Sequence, residues 1–225
     1  MTYRKKKTYR KRRSRPSRYS NRNTSLQLTG PTSPMPTKFK TKLLYGDTFS
    51  LNPGSGVVNS YIFNATGMYD PNTTGVGHQP RGFDELMAMY DHYTVIGAKI
   101  TLKFDNSANA FPVKGMVRLK DGTSFSSQVI DWQEDGYQRN VLISGNQGPA
   151  YASLTHTINP AKFLGRSKAM ADPELKGSSV SNPAENAYFH VGLNAFGSTD
   201  AAAVNVEAKI EYICVLTEPK SVGSS

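Results

Sequence analysis

The chain has 225 residues, a net charge of +10 and a single cysteine, Cys214, so it is long enough for one substantial core and excludes a fold held together by internal disulfides. No apolar run reaches the roughly 18 residues of a spanning helix. The basic start is followed by no apolar stretch of about 7–15 residues, which argues against a secretory signal.

Residues 1–22 hold 11 of the 27 Lys and Arg and no Asp or Glu, leaving 16 basic against 17 acidic residues in the rest of the chain. The excess charge therefore belongs to an arm on a nearly neutral body. The arm's cations are Arg4, Lys5, Lys6, Lys7, Arg10, Lys11, Arg12, Arg13, Arg15, Arg18 and Arg22. Like charges this dense repel, and apart from Met1 only Tyr3, Tyr9 and Tyr19 are large and apolar, so the arm is expected to be disordered. Its chemistry fits a polyanion, most often nucleic acid. Arginines favour forked phosphate contacts, and the tyrosines suit stacking on unpaired bases. Alternatives are a solvated tail or a nuclear import address.

A linker rich in Pro, Thr and Ser follows at 23–37. Eight strands are expected after it, at 38–50, 57–65, 93–104, 112–120, 137–144, 151–158, 187–196 and 203–217. In the third, Ala98, Ile100, Leu102 and Phe104 alternate with Lys99, Thr101 and Lys103. In the last, Val204, Val206, Ala208, Ile210, Tyr212 and Cys214 alternate with Asn205, Glu207, Lys209 and Glu211. Helix is expected at most twice, at 82–90 and as one turn at 159–165, opened by Pro160 and closed by Gly165. Eight strands, little helix and long connections at 66–92 and 121–136 predict an all-β, eight-stranded single jelly roll of two facing antiparallel sheets over 38–218, with a tail at 219–225. A lipocalin-like barrel ranks second, since its hairpin links are short.

The opening MTYRKKKTYRKRRSRP and the segment GHQPRGFDELMAMYDHYTVIGAKITLKF (77–104) resemble the capsid proteins of small circular single-stranded DNA viruses, the circovirus-like group. The resemblance implies a jelly roll that self-assembles into a small icosahedral (T=1) shell of about 60 copies, with arms turned inward on a single-stranded DNA genome. It also implies contact with the host nuclear import machinery and residence in the virion and, during assembly, the host nucleus. At that copy number the arms would bring on the order of 660 positive charges, enough to neutralise a genome of a few thousand nucleotides only in part.

Lys38, Lys40 and Lys42 share one face of the first strand, read either as an extension of the arm's phosphate-binding surface or as a solvated or edge-protecting row. Lys99 and Lys103 are candidates for the same surface. Arg81, Phe83, Leu86, Met87 and Met89 have two readings of nearly equal weight: local closure of the barrel end, which is placed slightly ahead, and a subunit contact in which Phe83, Leu86, Met87 and Met89 fill a neighbour's groove. Trp132, flanked by Asp131, Glu134 and Asp135, is read as an interface anchor or as packing, because acids repel phosphate. His78, His92, His156 and His190 show no metal-ligand spacing, and Cys214 reads as a buried inert thiol. With no GxSxG, P-loop or HExxH motif, no enzyme, metal or cofactor is expected. The rival readings are a cellular nucleic-acid-binding β-domain with a basic tail, a jelly-roll enzyme or lectin, and a coat protein of a small RNA virus.

Overall fold

The computed structural model describes residues 34–197 and 200–221. The arm, and the linker up to residue 33, lie outside the described residues. All eight expected strands are present: β1 (Lys38–Leu51), β2 (Asn59–Asn64), β3 (Tyr90–Asp105), β4 (Val113–Lys120), β5 (Arg139–Ile143), β6 (Tyr151–Ile158), β8 (Tyr188–Ala195) and β9 (Val204–Pro219). A two-residue strand, β7 (Lys176–Gly177), pairs with the start of β3.

The strands form two antiparallel sheets, one ordered β1-β9-β3-β6 and the other β2-β8-β4-β5. Only β4 and β5 are both consecutive in the chain and neighbours in a sheet; the other long strands pair across crossovers. That order is the jelly roll's, and it excludes the up-and-down barrel, in which consecutive strands pair.

Alternation drives the packing. The even-numbered residues of β9 from Val204 to Leu216 face the core. On β3 the inward set changes parity, from Tyr93 and Val95 to Ala98, Ile100, Leu102 and Phe104. A β-bulge between Val95 and Gly97 makes the change possible: the extra residue moves the second half of β3 by one position, so both halves turn apolar side chains to the same core. The core buries Phe63, Phe104, Phe189, Tyr45, Tyr93 and Tyr212 almost completely. The polar ends of the two deepest tyrosines are satisfied: Tyr212 Oη donates to the Asn64 carbonyl at 2.6 Å, and Tyr93 Oη accepts from the Met68 N–H at 3.0 Å.

Several expected boundaries shift. The helix expected over 82–90 is only Phe83–Met87 (α1), entered through Gly82 at a positive φ of 86°, a conformation glycine adopts without penalty. The residues after it are drawn into β3, which starts at Tyr90 because that residue pairs with Pro219. The last strand thus runs past the expected domain end at 218. The next residue, Lys220, is also tied down: its backbone N–H donates to the Met89 carbonyl (2.9 Å) and its Nζ to the Met87 carbonyl (2.8 Å). At the other boundary, the Pro36 carbonyl at the linker's end accepts from Tyr90 Oη at 3.0 Å.

The turn at Pro160–Phe163 is present, capped by Asn159 Oδ1 accepting from the Lys162 N–H at 3.1 Å. Further short helical pieces were not foreseen: a helix at Val129–Gln133 and 3-10 turns at Ala169–Ala171 and Pro173–Leu175. The first of these belongs to the 121–138 connection, which folds back over the outward face of the second sheet. There Trp132 packs against Val58 and Met116, on the side of β4 opposite Val113, Val117 and Leu119.

Candidate nucleic-acid interface

The outward face of the first sheet gathers lysines from three adjacent strands. β1 supplies Lys38, Lys40 and Lys42, all exposed, because the partner set Leu43, Tyr45 and Leu51 is taken by the core. β9 lies beside it with Lys42 opposite Ile213 and Gly46 opposite Lys209. β3 lies beyond, with Lys99 opposite Glu211 and Lys103 opposite Glu207. Six lysines (38, 40, 42, 99, 103 and 209) thus share the face with three acids, Glu207, Glu211 and Asp105.

The acids do not touch all six. Glu211 bridges Lys99 at 3.0 Å and Lys42 at 3.3 Å, linking three strands. Hydrogen bonding from Lys99, and then the Lys42 contact, hold the Glu211 carboxyl below its usual range. Glu207 holds Lys103 at 3.1 Å. Among the described residues, Lys38, Lys40 and Lys209 make no ion pair. They are exposed, uncompensated ammonium groups, and two of them lie at the point where the linker enters the sandwich. Ion pairs this exposed contribute little to stability, and β1 is an edge strand of its sheet, where lysines also guard against edge-to-edge pairing.

The structure thus gathers Lys38, Lys40, Lys42, Lys99 and Lys103 on one surface. Lys209 belongs to the same surface and was missed as a site residue, although the alternation in VNVEAKIEY already turned it outward. The arm's eleven cations lie outside the described residues.

The expected subunit contact is corrected at three positions. Phe83 and Met87 are buried in the chain's own core, with Phe83 edge-on to Tyr93 at 5.6 Å. They close the barrel end and offer nothing to a neighbour. Trp132 is likewise fully buried: its Nε1 donates to the Ser126 carbonyl at 2.7 Å, and the Arg118 guanidinium stacks on its ring at 3.9 Å. Of the two readings, interface anchor or packing, packing holds: the short helix at 129–133 turns Trp132 toward the sheet while Asp131 and Glu134 stay exposed. Arg81, Leu86 and Met89 (38% exposed) remain at the surface.

The histidines are placed singly. His78 Nε2 lies 2.9 Å from the Gly46 carbonyl and His156 Nε2 2.7 Å from that of Tyr137. His92 lies 3.6 Å from Glu218 and His190 is fully buried. Among the described residues no group of His, Cys, Asp and Glu is arranged to hold a metal ion. Cys214 is buried, and burial pushes its thiol up to about 12.

No protein-family model matches the chain, and no curated protein matches its sequence. Solved structures do match. The chain is similar to the BFDV capsid protein crystallised as a 60-mer, with 10% identity over 85% of this chain and 100% of that one and a TM-score of 0.50. It is also similar to Cocksfoot mottle virus (9% identity, 82% and 97% of the two chains, TM-score 0.49) and to Turnip yellow mosaic virus (11%, 87% and 89%, 0.46). At such low identity the likeness shows the fold alone: the two-sheet jelly roll, shared with the BFDV capsid protein.

Proposed function

We propose that the chain is a viral coat protein that assembles with copies of itself into a closed shell and packages a single-stranded DNA genome through its basic arm. The observation that carries this reading is the joining of two features in one chain. A capsid-type jelly roll is preceded by an arm with eleven cations and no acid, and the linker between them leads to the uncompensated Lys38 and Lys40. The BFDV capsid protein, similar in fold, forms a 60-mer, which supports a T=1 shell of about 60 copies here. The likeness of residues 1–16 and 77–104 to circovirus-like capsid proteins supports single-stranded DNA as the cargo. It also supports passage of the coat protein through the host nucleus, with nuclear import machinery as a partner, before residence in the virion.

The arm, and separately the first sheet's outer face, then neutralise phosphate without reading sequence. Arms supply most of the charge; the lysine face receives the strand where the linkers enter. Association should be driven by counterion release and weaken steeply with salt.

Assembly is tested by light scattering of the purified full chain together with the ratio of absorbance at 260 and 280 nm. The expected result is a uniform species of about 1.5 MDa, from about 60 copies of a 24.7 kDa chain. A species that stays near 25 kDa at physiological salt, arm intact, overturns the coat reading in favour of a cellular nucleic-acid-binding module. The lysine face has its own test. Replacing Lys38 and Lys40 by Ser should flatten the slope of log affinity for single-stranded DNA against log salt by about 1.4, roughly 0.7 for each phosphate no longer neutralised. Lys103→Ser should change it less, because Glu207 already neutralises that ammonium. Equal effects at the three positions would remove the distinction between free and paired lysines.

A further inference from the structure

Beneath the 121–138 connection lies a layer of polar groups that neither the fold nor the proposed function uses. On the outward face of the second sheet, Arg118 of β4 stands opposite His190 of β8. Both are buried, and the cover over them is formed by the Gly122 turn, the Val129–Gln133 helix with Trp132, and Asp135. His190 Nε2 lies 2.7 Å from the Gly122 carbonyl, so that nitrogen carries the proton and donates. Its Nδ1, together with Arg118 Nε, Ser60 Oγ and Gln138 Nε2, is buried with no hydrogen-bond partner. Orphaned polar atoms are costly, and here they sit together under one cover, so that contact is held less firmly than the sandwich core on the other side of the sheet.

The charged groups facing His190 are Arg118 and Lys120 from β4 and Asp135 from the cover. Asp131 acts on Arg118. β2 places the uncharged Ile62 opposite the ring, and Trp132 lies 6.5 Å away at a tilt. Asp135 Oδ2 is ion-paired, with Lys120 at 2.9 Å and Arg118 at 4.0 Å, but is a further buried atom of the layer without a well-formed hydrogen bond. A proton added at Nδ1 would therefore put a second buried positive charge beside Arg118, with the half-exposed Lys120 at the rim and one close carboxylate already shared by those two cations.

We propose that the 121–138 segment is an acid-released cover: protonation of His190 lifts it from the second sheet, wets the Arg118–His190 layer and exposes Trp132 while the two-sheet core stays folded. The sealed ring resists the proton. Burial above all, with Arg118 and Lys120 adding, pushes it down to about 4, against the pull of the Gly122 carbonyl toward the charged form. In the opened state the ring is in water and takes the proton near its ordinary 6.5. The sign follows from that difference. The opened state binds more protons between these two values, so opening gains as pH falls through that window and levels off below it. Over the window the opening equilibrium should rise on the order of 100-fold. The inference does not depend on the coat reading, since it uses only the described sandwich.

Trp132 is the chain's one tryptophan, so its fluorescence reports the cover alone. In the full chain, emission should shift to the red and acrylamide quenching should rise as pH falls from about 7 to about 4, with the far-ultraviolet β signal unchanged. His190→Gln keeps a donor for Gly122 but does not titrate, and should hold Trp132 sealed across that range. Lys120→Met keeps the titrating ring but removes one of the cations beside it, and should give a smaller rise. Three results would overturn the proposal: no change in wild-type quenching, the same change in His190→Gln, or a change that coincides with loss of the β signal. The Lys120→Met readout decides the matter should the glutamine variant fail to fold.

Discussion

A chain lacking residues 1–22 is expected to keep its sandwich and lose nearly all its salt-dependent affinity for single-stranded DNA. The sandwich should survive because, among the described residues, every buried core residue lies between Leu43 and Leu216. The hydrogen bond that anchors the linker's end, Tyr90 to Pro36, lies downstream of the cut. Far-ultraviolet dichroism and thermal melting should match the full chain. The loss of affinity should be large because it removes eleven of the cations available to phosphate. For a single strand, each neutralised phosphate adds about 0.7 to the slope of log affinity against log salt, so the full arm accounts for a slope near −8. The lysine face that remains has a net charge of only +3, from six lysines and three acids, which leaves a slope of about −2. Near 0.15 M salt the truncated chain should bind on the order of 10³-fold or more weakly. Equal affinity in the two chains at that salt would mean that the arm does not hold the nucleic acid.

The positions of the strands were legible because one face of each is buried, and a period-two pattern is then imposed on the sequence. β9 shows it most plainly, with Val204, Val206, Ala208, Ile210, Tyr212 and Cys214 all inward. Strand order was not written locally. Nothing in β1 itself selects β9 over β2 as its neighbour, and the face that carries Lys38 and Lys40 became a site only when β9 and β3 brought Glu211 and Glu207 to some lysines and not others. The bulge at Val95 was hidden because YTVIGAKI satisfies alternation in either half separately. Only the shared core requires both halves to face inward. α1 ended early for a reason outside itself, the pairing of Tyr90 with Pro219. For Trp132 the choice between interface and packing was not legible, because its neighbours in sequence are acidic, whereas its neighbours in space are Val58, Met116 and the Arg118 guanidinium. The lesson is the same at each point: local pattern fixes which face a residue takes, and long-range pairing fixes what it meets there.

The seat of Trp132 yields the other large expected effect, and it can be isolated by a pair of substitutions. A Cβ at Gly192 would lie 2.7 Å and 2.8 Å from the indole carbons and 2.9 Å from a Val58 methyl. The indole is rigid, stacked on one side by Arg118 and held at its nitrogen by the Ser126 carbonyl, so it does not yield cheaply. Gly192→Ala should cost about 1–3 kcal/mol, the range for overpacking a filled site. Trp132→Ala should cost about 3–5 kcal/mol, through lost burial and the hole left beneath the cover. The informative quantity is their combination. With the indole gone, only the Val58 methyl still crowds the new Cβ, so the double variant should be only slightly less stable than Trp132→Ala alone. The coupling between the two sites should then be most of the cost of Gly192→Ala, the Val58 contact accounting for the rest. Chemical denaturation followed by far-ultraviolet dichroism measures all four chains without relying on the missing fluorophore. Simple additivity would mean that Gly192 is constrained by the β-strand and not by the tryptophan, and that the cover over the second sheet is seated elsewhere.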